Sequence, residues 1–388
     1  MTNTEHGGDT RRGGMNQIVV IGGGVVGMSA AYQAARAGAS VSVVDRGDDG
    51  QATAAGAGII APGTSLRDLP AFLPLATPAV RFYPKLIAQL AEDGETETGY
   101  EVCGALHVAT DAAEADLLLE TLATMRARAA AGVPNLGDVT LLTGAEARSL
   151  FPPLADLPGA IHVPDAGRVD GRLLRDALRR AGEKRGVTHV HGTGVPRLAG
   201  GRFVGVDVAG RAIPGDALIV AGGAWSRDLA DALGAPLPTE PQRGQILHMT
   251  MPGVETGGWP IVQGFHSQYL LTFRPDRIVA GATRETGSGF DYRLTVGGTH
   301  DVLSQALRVA PGLAGATVRE WRIGMRPASP DGNPILGPAP GLDNVFLATG
   351  HGPSGLQLGP YSGAIAADLA LGKPVALDLT PYAAARFA

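Results

Sequence analysis

Three glycines and one carboxylate near the start of the chain have the types and spacing to hold a dinucleotide. Gly22, Gly24 and Gly27 form a G-x-G-x-x-G spacing, and Asp45 follows. In this pattern the first glycine permits a tight turn and the second lets backbone approach a pyrophosphate. The third lets a helix pack closely on a sheet. The helix start, at Val25 and Val26, presents free N–H groups and a positive dipole end to phosphates. A carboxylate placed like Asp45, with Arg46 after it, accepts hydrogen bonds from a ribose.

The flanking elements must position those residues, and their pattern agrees. Residues 17–21 are an apolar, β-branched run that reads as a buried parallel strand. An Ala-rich helix follows, Gly38 stops it, and residues 40–44 form a second apolar strand. Spacing alone does not separate FAD from a nicotinamide cofactor. Residues 52–63, ATAAGAGIIAPG, are too apolar for a linker at Ile59, Ile60 and Pro62. Small residues such as Gly58 suit backbone lying against a bulky ligand. A second strand–glycine–helix unit is expected at 216–233, with Gly222 and Gly223 at its turn and Trp225 beyond.

The remaining chain reads as alternating helices and strands. A helix is expected over 70–90, interrupted at Pro74, Pro78 and Pro84. A strand is expected over 99–108, with Cys103 and His107 as packing residues, then an amphipathic helix over 112–131. Thr143 and Glu146 have capping-box spacing, and Asp170 caps a helix over 171–182. A hairpin turns at Ala209 and Gly210, and another around Pro275 and Asp276 within a β-rich stretch, 259–295. A helix spans 302–309, and a last buried strand, 344–349, runs into a glycine-rich loop over 350–363 and a final helix.

Composition excludes several classes. The 388 residues carry a net charge of −5, which gives no nucleic-acid footprint. One cysteine, Cys103, rules out an internal disulfide and argues against a cysteine-based metal site. His189 and His191 lack the third ligand that a metal pair needs. No stretch reads as a membrane span or a signal peptide. Residues 1–14 are polar and glycine-rich and are expected to be a disordered tail. A cytoplasmic protein is the expectation.

The opening motif together with residues 52–63 resembles the D-amino acid oxidase-like family of FAD amine oxidoreductases, which includes glycine and sarcosine oxidases and D-amino acid dehydrogenases. Three further segments carry the resemblance. Residues 160–170, AIHVPDAGRVD, follow the family's AxxxPxxGxVDP pattern, and 241–250, PQRGQILHMT, its PxRGQ strand. Residues 318–340, VREWRIGMRPASPDGNPILGPAP, match WxGxRPxTPDGxPxIG nearly throughout.

The resemblance implies an α/β fold: a Rossmann-like FAD-binding domain with a second, mostly antiparallel β-sheet substrate domain. The FAD domain would comprise 15–85, 145–235 and 316–388, and the substrate domain 86–144 and 236–315. Thr53 and Ala54 would pass the pyrophosphate, and the backbone of Val195 would hold the adenine. Gly222, Gly223, Trp225 and Gly324 would lie against FAD. Gly352, Pro353, Ser354, Gly355, Leu356 and Gln357 would place a helix N-terminus at the flavin pyrimidine ring. No cysteine precedes that last loop, so FAD would be noncovalent.

The implied reaction is oxidation of the C–N bond of an amino acid or secondary amine, by hydride transfer to flavin N5. The imine product would hydrolyse to an oxo acid. Arg326 would clamp the substrate carboxylate, Tyr269 would cover it, and His351 would lie near the flavin; these are the candidate catalytic residues. Arg322 is a nearby alternative, and Arg243 reads as a domain-junction residue. The chain departs from the family pattern in having Asp45 where Glu is commoner. It also has Gly352 and Pro353 where glycine oxidases carry an arginine. Lys85, Lys184 and Lys373 match no flavin-covering lysine. Oxygen or a quinone-type redox partner would accept electrons, and a homo-oligomer stays open. The alternatives are a 2-hydroxy acid or glycerol-phosphate dehydrogenase using His351 or His266 as base, and a non-catalytic flavin-binding partner.

Overall fold

The computed structural model describes residues 16–67, 69–266 and 268–388. The tail expected at 1–14 lies outside the described residues. Two sheets dominate. The first has six strands in the order Ile335–Pro338, Val345–Thr349, Ala217–Val220, Gln17–Ile21, Ser40–Asp45, Thr188–His191. All pairs are parallel except that of Ile335–Pro338 with Val345–Thr349. Its central strands, Gln17–Ile21, Ala217–Val220 and Val345–Thr349, are buried on both faces because both sides are covered. The helices Val25–Arg36, Gly171–Lys184 and Gly355–Ala370 pack on one side with Phe72–Glu92. A small sheet over Gly194–Ala199, Arg202–Val208 and Arg211–Pro214 joins the core on the other.

The second sheet has eight strands: Thr317–Ala328, Glu240–Thr250, Arg277–Gly281, Tyr269–Phe273, Ile261–Gly264, Ala105–Ala109, Gly159–Val163, Thr140–Leu142. Only Ile261–Gly264 with Ala105–Ala109 is parallel. Sheet membership moves two expected boundaries. Gly159–Val163 and Thr317–Ala328 pair here, although sequence reading assigned them to the nucleotide segments.

Local expectations hold where capping chemistry is explicit. Thr143 and Glu146 form the reciprocal capping box, and the Asp170 carboxylate accepts from the Arg172 and Leu173 amides. Three expectations fail. The helix Phe72–Glu92 runs through Pro78 and Pro84 without a break. Each proline costs roughly 3 kcal/mol in a helix interior. The buried face of Leu75, Val80, Tyr83, Leu86 and Leu90 offsets this, at about 1.5–3 kcal/mol for each large side chain. The strand expected over 99–108 is split into Glu101–Val102 and Ala105–Ala109, since Gly104 takes a left-handed φ of 78°. The turn after Gly222 is a 3-10 helix, Gly223–Leu229, with an α-helix only at Ala230–Leu233. Two other helices begin earlier than their patterns implied, at Val296 and at Gly355.

Arg168 couples the two halves. It lies on the short strand Gly167–Arg168, which bridges Ile59–Ile60 and Glu101–Val102. Its guanidinium is buried and bonds Glu101 (2.7 Å), the Gly257 carbonyl (2.7 Å) and the Thr272 hydroxyl (3.0 Å). Replacing it orphans several buried acceptors at once. We expect Arg168→Leu to lose about 2–4 kcal/mol of unfolding free energy in urea titration; a loss within experimental scatter would contradict this coupling role.

Candidate active site

A cavity of about 630 Å³ lies between the C-terminal ends of the parallel strands and one face of the antiparallel sheet. At the parallel end, Gly22 takes φ +113° and its N–H donates to the Val44 carbonyl (2.9 Å). A Cβ at Gly27 would overlap the Gly22 carbonyl oxygen, so this glycine sets how closely the first helix approaches the turn. Gly24 is the helix N-cap and has no side chain to cap with. The Thr53 hydroxyl takes over, accepting the Val25 N–H at 3.0 Å. Val26 is left at the cavity wall with an amide that has no intrahelical acceptor. The Asp45 carboxylate accepts from the Gly23 and Gly47 amides (2.5 and 2.7 Å) and the Gln51 side chain (3.1 Å). A carboxylate has about four lone-pair sites, so it is held in place with capacity for a ribose hydroxyl.

The closing helix, Gly355–Ala370, starts at the same cavity and also has no side-chain cap. Gln357 turns its side chain aside to accept the Ala61 amide at 3.1 Å. That contact holds the 52–63 run against the helix start. Tyr83 donates its hydroxyl to the Leu356 carbonyl from the other side. Two helix N-termini, a carboxylate for a ribose and a long trough of small residues fit FAD. Bound there, its pyrophosphate would meet Val26 and its pyrimidine edge Gly355. Cys103, the chain's one thiol, is absent from the cavity wall.

The opposite wall is one face of the eight-stranded sheet. Strand register places His107, Gln263, Tyr269 and Gly281 directly across from one another in one row. Paired residues share a face, and the first three line the cavity. Gly281 lets Tyr269 lie flat, because a Cβ there would overlap the phenol oxygen. Gly244 does the same for Arg326, whose guanidinium occupies the space of the missing side chain. Arg326 Nη1 donates to the Thr283 and Arg243 carbonyls (3.0 and 3.3 Å). Burial pulls its guanidinium below the usual arginine range, opposed by the Tyr269 phenol. Burial pushes the Tyr269 phenol up, opposed by Arg326 and Arg284. Tyr269 is therefore a neutral hydroxyl donor beside a cation at neutral pH.

Of the residues expected to bind FAD, together with the candidate catalytic Arg326, Tyr269 and His351, all but Gly27, Ala54 and Ile60 line this cavity. Gly27 acts through helix packing. Ala54 faces away, its carbonyl accepting from Arg322 at 3.2 Å, and Ile60 is in the core under the first sheet. Arg322 is tied to Glu320 and lies outside the cavity wall, so Arg326 is the arginine of this strand that the cavity uses. Arg243, expected at the domain junction, is paired instead with Glu285 and Asp291 of its own segment. His266 is largely exposed, sits 3.1 Å from Glu114 and is outside the cavity wall, so it cannot act as a base there. Among the described residues no group of three His, Cys, Asp or Glu side chains could hold a metal.

Sequence reading missed several polar wall residues and misjudged one. Arg67, Arg284, Gln263 and Gln268 line the cavity. His107, expected to be packing, lines it too, with Phe265 edge-on at 4.5 Å. Only their positions within strands or loops of otherwise matching segments signalled them, and strand parity alone does not choose a face.

His107 and His351 are buried at the wall, and burial pulls both imidazoles down to about 4. Each is neutral in the folded protein at neutral pH. Between about pH 6.5 and 4 the unfolded chain binds these protons and the folded chain does not. Stability is therefore full above pH 6.5 and falls as the pH drops towards 4, by at most about 1.4 kcal/mol per pH unit for each histidine. His107→Gln should flatten this slope in urea titrations across that range; an unchanged slope would refute the assignment. Gly244→Ala should displace the Arg326 guanidinium, weakening substrate binding while the protein still holds FAD, as read from its visible spectrum.

Comparison with known proteins agrees with this geometry. The family described as FAD dependent oxidoreductase (DAO) matches residues 17–369. The uncharacterized oxidoreductase YurR of Bacillus subtilis is 42% identical over 369 residues, covering 95% of this chain and 98% of that one. Glycine oxidase of Pseudomonas aeruginosa is 32% identical over 375 residues, with coverage of 95% and 98%. Among solved structures, iminodiacetate oxidase from Chelativorans sp. BNC1 superposes with a TM-score of 0.90 at 42% identity. It covers 94% of this chain and 98% of its own.

Proposed function

The chain belongs to the DAO family of FAD-dependent oxidoreductases, and we propose that it oxidises the C–N bond of a small amino acid or secondary amine held by its carboxylate against Arg326 and Tyr269. One observation carries this reading. The half-buried Arg326 guanidinium lines the same cavity as the dinucleotide fingerprint, with no carboxylate partner among the described residues. A guanidinium fixes a carboxylate with two parallel hydrogen bonds, so it orients the Cα–H as well as binding it. Tyr269, neutral and adjacent, donates a third. FAD, when bound, would supply the hydride acceptor; the substrate would leave as an imine that water converts to an oxo acid and ammonia, or an amine where the substrate is a secondary amine.

The protein's contribution is orientation and exclusion of water. A substrate bound as the free amine needs no side-chain base. His351 is neutral, and its Nε2 has no hydrogen-bond partner among the described residues. We assign it to hydrogen bonding at the flavin end rather than to proton abstraction. The oxidase relatives support oxygen as acceptor, and a cytoplasmic setting belongs to the same proposal.

The test is anaerobic reduction of the holoenzyme, followed by loss of its flavin absorbance. The panel comprises glycine, sarcosine, iminodiacetate, proline, D- and L-amino acids and 2-hydroxy acids. Bleaching by an amine is expected, with Arg326→Met lowering its efficiency at least about 100-fold. Bleaching by hydroxy acids alone, or indifference to Arg326→Met, would refute the proposal. Readmitting oxygen then separates oxidase from dehydrogenase.

A further inference from the structure

Among the described residues both buried arginines have acids beside them, as does the half-buried Arg277. Arg168 meets Glu101, Arg243 meets Glu285 and Asp291, and Arg277 meets Asp170. The cavity is different. Arg67, Arg284 and Arg326 all line it, and among the described residues no carboxylate lies within ion-pair distance of any of them. Arg67 makes one hydrogen bond, from Nη2 to the Ser354 hydroxyl (2.6 Å), and lies 4.8 Å over the Phe72 ring. Arg284 is exposed at the rim and has no hydrogen-bond partner among the described residues. Most of their donors face the cavity unused.

We infer that the cavity holds a second anion subsite, formed by Arg67 and Arg284, and that the substrate is an amine bearing two carboxylates. This rests on the amine reading above, with Arg326 and Tyr269 taking the first carboxylate.

Like charges gathered in a partly desolvated site cost free energy unless an anion compensates them. One substrate carboxylate, taken up at Arg326, leaves Arg67 and Arg284 unmatched. Burial holds the Arg67 guanidinium below the usual arginine range, and repulsion from Arg284 adds to that. Arg284 also acts on Arg326 and Tyr269, so it lies near the first anion position as well.

A second observation points the same way. Both ring nitrogens of His107 and both amide atoms of Gln268 are buried without a hydrogen-bond partner among the described residues, as is Gln263 Oε1. All three side chains line this cavity. Unsatisfied buried polar atoms at a wall are what a polar ligand or its waters complete. A substrate with a single carboxylate and a small apolar arm would leave them bare. The neutral imidazole and the amide N–H groups suit a carboxylate, since each can donate without adding charge.

The test separates binding from oxidation by using acids that cannot react at a C–N bond. Diglycolate carries carboxylates on both sides of an ether oxygen, and methoxyacetate is the same framework with one removed. Succinate and butyrate form a second pair, in which the second carboxylate sits on a carbon arm. Each is titrated into the holoenzyme, and binding is read from the perturbation of the flavin spectrum. In at least one pair the diacid should bind at least about tenfold more tightly. The preferred pair shows whether the second carboxylate is borne beyond the heteroatom or on the carbon chain. Arg67→Met should abolish the preference, and Arg67→Lys should restore part of it. Arg284→Gln, at an exposed side chain that threatens no core, should reduce it about threefold or more.

Equal binding of diacid and monoacid in both pairs would overturn the inference. So would a preference that survives Arg67→Met. Loss of FAD from Arg67→Met with an unchanged preference in Arg284→Gln would assign Arg67 to the flavin and also overturn it. A clear diacid preference with no bleaching by any amine would instead sink the C–N reading and leave the subsite standing.

Discussion

The first and closing helices touch through glycine. A Cβ at Gly363 would overlap the Val26 carbonyl oxygen, and one at Gly359 would stand 2.9 Å from the Val26 side chain. Ser29 donates to the Pro360 carbonyl at 2.7 Å, satisfying a group at the heart of the contact. Close approach here matters because both helices begin at the cavity. Their N-terminal amides converge on it only if the axes lie this near together. The dipoles then favour negative charge at two points, the pyrophosphate at one and the reduced flavin ring at the other. Larger residues at 359 or 363 would part the helices and move both ends away from the cofactor.

The second constraint is the glycine content of the antiparallel face. Gly244 and Gly281 sit beneath Arg326 and Tyr269, the two side chains proposed to meet the substrate carboxylate. A strand normally presents a dense layer of side chains at alternate positions. Here two gaps in that layer let an arginine and a tyrosine lie across the sheet rather than stand off it. Their positions are therefore set by backbone and not by long, free rotamers. That suits hydride transfer, where a small misplacement of the reacting carbon costs much rate.

Electrostatics follow from how charge is distributed between fold and site. The arginines paired with Glu101, Glu285, Asp291 and Asp170 behave as structure. Arg67, Arg284 and Arg326 have no acid beside them among the described residues, and the histidines of the same cavity wall are held neutral by burial. The site therefore presents cations and neutral donors to the proposed anionic substrate, with the wall's acidic groups, Asp45, Asp48 and Asp228, near the nucleotide turn, where Asp228 meets Arg46. This separation lets the substrate anion and the cofactor phosphates use different parts of one cavity.

Much of this was legible in the order of residues. Gly22, Gly24, Gly27 and Asp45 act within one contiguous strand–helix–strand unit, so local spacing is enough to recognise them. The same holds for the Thr143 capping box and for Arg326, whose surrounding segment is a continuous motif. Helix lengths were less legible, because Pro78 and Pro84 are overruled by buried contacts made from distant parts of the chain. Arg67, Arg284 and His107 were not legible as a group. They come from a loop, a turn and a strand whose facing depends on which neighbour it pairs with. Sequence by itself determined the nucleotide-binding unit and the family, since those rest on short-range geometry. Only the tertiary structure decided which arginines are left without acids, because ion pairing is settled by through-space distance between segments far apart in the chain.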